Sequence, residues 1–200
     1  MIEFIKNVKK VLPYDRRQYC EFWDDEIDSS TEWYGVAIQL PGAYEGKVRG
    51  LTEFVEVYEG LFKNVISKLD TGSFWIINHD YKDLKWFPND EDNLTSLRTL
   101  FKQNNIPNAF KGALIFTKDN LLEFSRDLIS YPSAVFNEDG LYYSSLDISH
   151  GKLPFVIKIY GRFSIDFLST NKELLAEVVN ENRSDIFIVR EFRSNSKHSS

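Results

Sequence analysis

An α+β domain is predicted by three features of the 200-residue sequence: one long amphipathic helix, shorter helical stretches weighted to the first two-thirds, and a run of strand and turn patterns towards the end. Helices and strands that segregate along a chain favour α+β over a strictly alternating parallel sheet. The expected architecture is a single compact domain over residues 1–193, with a mixed sheet ending in an antiparallel meander. An all-polar tail, 194–200, is expected to fray.

The elements follow in chain order. Residues 1–12 suit an amphipathic docking helix, with Phe4, Ile5, Val8 and Leu12 on one side and Lys6, Lys9 and Lys10 towards the other. Such a helix is too short and too weakly charged to hold a membrane surface. Residues 32–40 read as a strand. Over 51–69 the residues Leu51, Phe54, Val55, Tyr58, Leu61, Phe62, Val65, Ile66 and Leu69 keep the i, i+3, i+4, i+7 rule, while Glu53, Glu56, Glu59, Lys63 and Lys68 fall opposite. Strands are expected at 73–78, 84–87 and 112–117. Helices at 93–104 and 120–130 are each preceded by a capping aspartate, Asp92 and Asp119.

The β-rich part begins at Ala134-Val135-Phe136, which the turn signal Asp139-Gly140 joins to a strand over 141–148. Gly161-Arg162 offers a second turn between strands at 155–160 and 163–168, where Phe163, Ile165 and Phe167 alternate with Ser164 and Asp166. A helix over 171–182 carries capping-box spacing at Thr170 and Glu173, and a strand over 186–189 closes the sheet.

Composition narrows the function. A lone cysteine, Cys20, excludes an intrachain disulfide framework and a Cys-rich zinc site, which suits a reducing cytosol and an inert thiol. No apolar run reaches the roughly 18 residues of a membrane span, and the N-terminus lacks a secretory signal pattern, so a cytoplasmic location is expected. A net charge of −6 disfavours coating nucleic acid and suits a basic partner.

The catalytic motifs are incomplete. Gly42, Gly46, Gly50 and Lys47 precede the long helix, but three residues separate Gly42 from the Gly46-Lys47 pair and Val48 follows it, against the Walker A pattern. A flexible connection is expected there; a small anionic ligand held by backbone amides is the alternative. Asn78-His79-Asp80 and Ser149-His150-Gly151 place each internal histidine in an expected loop, without the elbow or zinc-helix motifs.

A helix, two strands, a helix and a strand faintly resemble the core of the PD-(D/E)xK nuclease family. Matching residues are Asp70, then Asp83 and Lys85, with Glu59 as a helix carboxylate and Asp80-Tyr81-Lys82 as a competing acidic-x-Lys. The resemblance implies metal-dependent hydrolysis. It lacks the family's third core strand before the second helix.

Charge patterning points elsewhere. Glu21, Asp24, Asp25, Glu26, Asp28 and Glu32 occur without one Lys or Arg among them, interleaved with Phe22, Trp23, Trp33 and Tyr34. Trp86 and Phe87 precede Asp90-Glu91-Asp92 in the same manner. Aromatic anchors with steering carboxylates make an interface for a cationic partner. The expectation is a non-enzymatic, cofactor-free binding protein of the immunity or inhibitor type that neutralises a basic toxin or effector. Its expected contact residues are Trp23, Asp24, Asp25, Glu26, Asp28, Trp86, Asp90, Glu91 and Asp92. The competing reading is that the aromatics pack inward and the acids are a solvated loop.

Overall fold

The computed structural model describes residues 2–14, 33–41, 50–79, 84–90, 92–136, 145–161 and 164–193. Eight strands form one sheet: β1 (Ile2–Ile5), β2 (Tyr34–Gln39), β3 (Trp75–His79), β4 (Ala113–Phe116), β5 (Leu146–His150), β6 (Phe155–Tyr160), β7 (Ser164–Ser169) and β8 (Ile188–Arg193). Their order is β1-β4-β3-β5-β6-β7-β2-β8. The helices among the described residues are α1 (Leu51–Lys68), α2 (Thr95–Gln103), α3 (Lys118–Glu123), α4 (Ser125–Ala134) and α5 (Lys172–Glu181). The α+β class and the β5-β6-β7 meander agree with the sequence reading. The sheet is not mixed: every described ladder is antiparallel.

The helices gather on one face. Phe54, Val55, Tyr58, Leu61, Phe62, Val65 and Ile66 of α1 join a single apolar core with Val36 and Ile38 of β2, Trp75 and Ile77 of β3, Ile157 of β6 and Phe167 of β7. Tyr58 Oη adds a buried hydrogen bond of 2.8 Å to the carbonyl of Ile38, so the helix is pinned as well as packed. The opposite face of the central strands is also buried, with Ile76, Asn78, Asp147, Ser149, Val156, Lys158, Asp166 and Leu168 upon it. Trp33 packs there on Val156 and Leu168 with Tyr14 beside it, and Tyr14 Oη donates to the carbonyl of Phe155 at 3.3 Å.

Several sequence expectations are corrected. Residues 2–5 form edge strand β1 and Val8–Lys10 a single 3₁₀ turn, where a docking helix was expected over 1–12. Ile2 and Phe4 fit a two-residue period, and pairing from Ile2↔Phe116 to Ile5↔Ala113 half-buries them against the core. Residues 84–87 make no strand; the amides of Trp86 and Phe87 donate to the carbonyls of Phe110 and Asn108 at 2.9 and 3.0 Å. The expected helix over 120–130 breaks at Phe124 into α3 and α4.

The caps also move. Thr117, not Asp119, accepts from the Asn120 amide to start α3, and Asn171, not Thr170, accepts from Leu174 at the start of α5. Asp92 does receive the Leu94 amide at 3.0 Å, but the first turn of α2 is capped from another helix: Asp127 of α4 accepts from Leu97 N at 2.8 Å. The strand expected at Ala134-Val135-Phe136 is not formed: Ala134 ends α4, Val135 is its C-cap and Phe136 makes an isolated bridge. The Asp139-Gly140 turn, Arg162, Cys20 and the tail 194–200 lie outside the described residues.

Candidate functional site

Of the expected partner-binding residues, Trp23, Asp24, Asp25, Glu26, Asp28 and Glu91 lie outside the described residues. Trp86 is a correction: its side chain is fully buried, its Nε1 donates to the carbonyl of Gly112 at 2.9 Å, and its ring packs on Tyr131, His79 and Phe101. An indole held this way is a core residue and cannot anchor a partner. Asp92 is equally committed. Its side chain is buried against Arg98, whose guanidinium bonds both its oxygens, reaches Asp90 at 2.8 Å and the carbonyl of Asn89 at 2.6 Å, and lies 4.3 Å over the Phe87 ring. Among the described members of this group, Asp90 is at the surface, 84 % exposed.

Both internal histidines sit on strands and are buried, where loops were expected. His150 Nδ1 accepts from Lys152 N at 3.0 Å and Leu153 N at 2.8 Å, so Nε2 carries the proton that goes to the carbonyl of Leu69 at 3.1 Å. Burial holds its pKa below the ordinary value and keeps the imidazole neutral. His79 lies 3.4 Å from the Tyr131 hydroxyl, which donates to the carbonyl of Trp86.

The nuclease-like constellation does not assemble from its described members. Glu59 lies within α1 and binds Lys63, Arg126 and Ser125; Asp70 follows the helix and binds Lys118 at 2.9 Å. The rise from Glu59 to the end of α1 at Lys68 puts about 13 Å between Glu59 and the helix end that precedes Asp70. Asp83 lies outside the described residues, and Lys85 stands in a segment that is not a strand. Among the described residues, no group of three His, Cys, Asp or Glu side chains could hold a metal ion. Gly42, Gly46 and Lys47 are likewise outside, while Gly50 serves as the extended N-cap of α1.

No protein-family model matches the chain, and no curated protein or solved structure matches it either.

The arrangement that sequence reasoning missed is a polar row across the buried second face. Asn78, Asp147, Lys158 and Asp166 stand opposite one another on β3, β5, β6 and β7. Lys158 Nζ lies 3.6 Å from Asp147 Oδ1 and 5.7 Å from the centre of the Tyr160 ring. Burial pushes the Asp166 carboxyl up to about 6, against the opposing pull of a Tyr160 hydrogen bond and the Lys158 charge. Ser149, two residues beyond Asp147, is fully buried on the same face. Taken strand by strand, this pattern looks like the solvated side of a half-buried meander. The one available signal was register: the spacing of the two turns aligns Asp147, Lys158 and Asp166.

Proposed function

We propose that the chain is a non-enzymatic binding protein that captures a basic protein partner in the cytoplasm, in the manner of an inhibitor or immunity protein. The contact surface in this reading is the acidic and aromatic segment with Trp23, Asp24, Asp25, Glu26 and Asp28, and Asp90 is a second, exposed acidic point. One observation carries the reading. The stretch from Glu21 to Glu32 holds six carboxylates and no Lys or Arg, so it equals the whole net charge of −6, and the rest of the chain is balanced at 24 acidic and 24 basic residues.

A charge concentrated in one segment steers a cationic partner and selects against acidic ones, while the rest of the surface stays neutral. Such a protein acts stoichiometrically. The test uses the purified chain as bait in lysate of its own host, beside a variant carrying Asp24→Lys, Asp25→Lys and Asp28→Lys. The expected result is a basic protein retained in stoichiometric amount, with capture by the variant reduced about tenfold or more and less sensitive to salt. Equal capture of that protein by parent and variant at low and moderate salt sinks the reading.

A further inference from the structure

The second face of the sheet carries a group of oxygens that the acidic-surface reading does not use. Asn78 of β3 stands opposite Asp147 of β5, and Ser149 follows on the same side of β5. Opposed side chains of an antiparallel pair lie ~5 Å apart at Cβ and same-face neighbours along a strand ~7 Å apart, so the three share one small patch. Ser149 is fully buried and Asn78 is 1 % exposed. Even so, Ser149 Oγ and Asn78 Oδ1 have no hydrogen-bond partner among the described residues. The Asn78 amide nitrogen is engaged with the carbonyl of His79 at 2.8 Å, so the atom Asn78 offers the patch is an acceptor. Buried polar atoms are almost always satisfied, and an orphan pair beside a carboxylate calls for an occupant.

We infer that Asn78 Oδ1, Asp147 and Ser149 Oγ form a site for a compact monovalent cation, an alkali or ammonium ion. The donor set is oxygen alone, which suits hard cations over the transition metals. A divalent ion is disfavoured because the Lys158 ammonium already stands 3.6 Å from Asp147 Oδ1 and would repel the larger charge more strongly. A monovalent ion on the Asn78 side of Asp147 lets Lys158 turn its charge to Asp166 on the other side. Facing Asp166 are Lys158 and Tyr160 of β6; its ladder partner on β2 is Ala37, with Arg190 of β8 beyond. A proton on Asp166 removes one negative charge from the row, so acid and the bound cation oppose each other.

The test is thermal unfolding of the full chain in roughly 0.1 M sodium, potassium or ammonium chloride, against N-methylglucamine chloride at the same ionic strength. One compact cation is expected to raise Tm by about 2–4 °C over the bulky one, as saturation of a weak site in a chain of this size would. Ser149→Ala, which removes a buried orphan and is expected to fold, should lose most of that rise, as should Asn78→Leu. In the parent alone the rise should shrink between about pH 8 and about pH 5, as Asp166 takes up its proton. A Tm indifferent to the cation overturns the inference and leaves the orphan oxygens to internal water. So does a full rise retained in Ser149→Ala, or a rise that grows in acid.

Discussion

Asp166 and His150 tilt the stability of the protein in opposite directions with pH. The Asp166 carboxyl is raised from 3.8 to about 6 in the folded state. Its contribution is fully present below pH 3.8, where both states hold the proton, and is lost as pH rises to about 6, because the unfolded chain releases the proton first. Asp166→Asn removes this slope. Relative to the parent, the variant is expected to be more stable at pH 7 than at pH 4 by up to about 3 kcal/mol, checked by urea denaturation across that range. His150 works the other way: its lowered pKa means stability present above about 6.5 and lost as pH falls, since the unfolded imidazole protonates first. Neither role was legible in the sequence. Asp166 alternates with Ile165 and Phe167 as a solvent-facing residue would, and His150 occupies an apparent turn; only the cover over the second face and the Leu69 carbonyl make them interior groups.

Between elements, a few polar atoms decide how helices and edge strands dock. Asp127 caps α2 from α4, and burial raises its pKa while the Leu97 and Ser96 amides pull it back. Asp127→Ala is expected to cost about 1–2 kcal/mol and to speed hydrogen exchange at the Leu97 amide. Asp127→Asn keeps an accepting oxygen without a buried charge and should match the parent; an asparagine variant as unstable as the alanine one would refute the cap. At the other end of the sheet, Gly112 lets β1 close on β4. A Cβ there would press into the carbonyl of Ile5 and the ring of Phe110, so Gly112→Ala is expected to loosen β1 and cost about 2–3 kcal/mol in thermal or chemical denaturation. Helix α1 was readable in advance, because a stripe that long has one way to be buried. The caps were not: Asp119 and Thr170 have the right chemistry near a helix start but the neighbouring Thr117 and Asn171 accept the amides, and Asp92 shares the start of α2 with Asp127 from another helix.

For the whole molecule, the aromatic richness of the chain serves mainly to fill the described body. Trp33, Trp75 and Trp86 are buried, as are Phe54, Phe62, Phe101, Phe116, Phe155 and Phe167. Among the described residues the exposed large apolar side chains are Phe74 and Ile186. No helix among them is long and apolar enough to cross a membrane. The sequence by itself determined the α+β class, the long helix, the meander and the place where acidic charge accumulates, since all four depend on local periodicity, turn chemistry or composition. Only the tertiary structure decided that residues 2–5 are a strand, that Trp86 and Asp92 are interior, and that Asp147, Lys158 and Asp166 form a buried row. Each of these depends on what covers a residue from a distant part of the chain: a two-residue alternation specifies two faces of a strand, but not whether the polar one meets water.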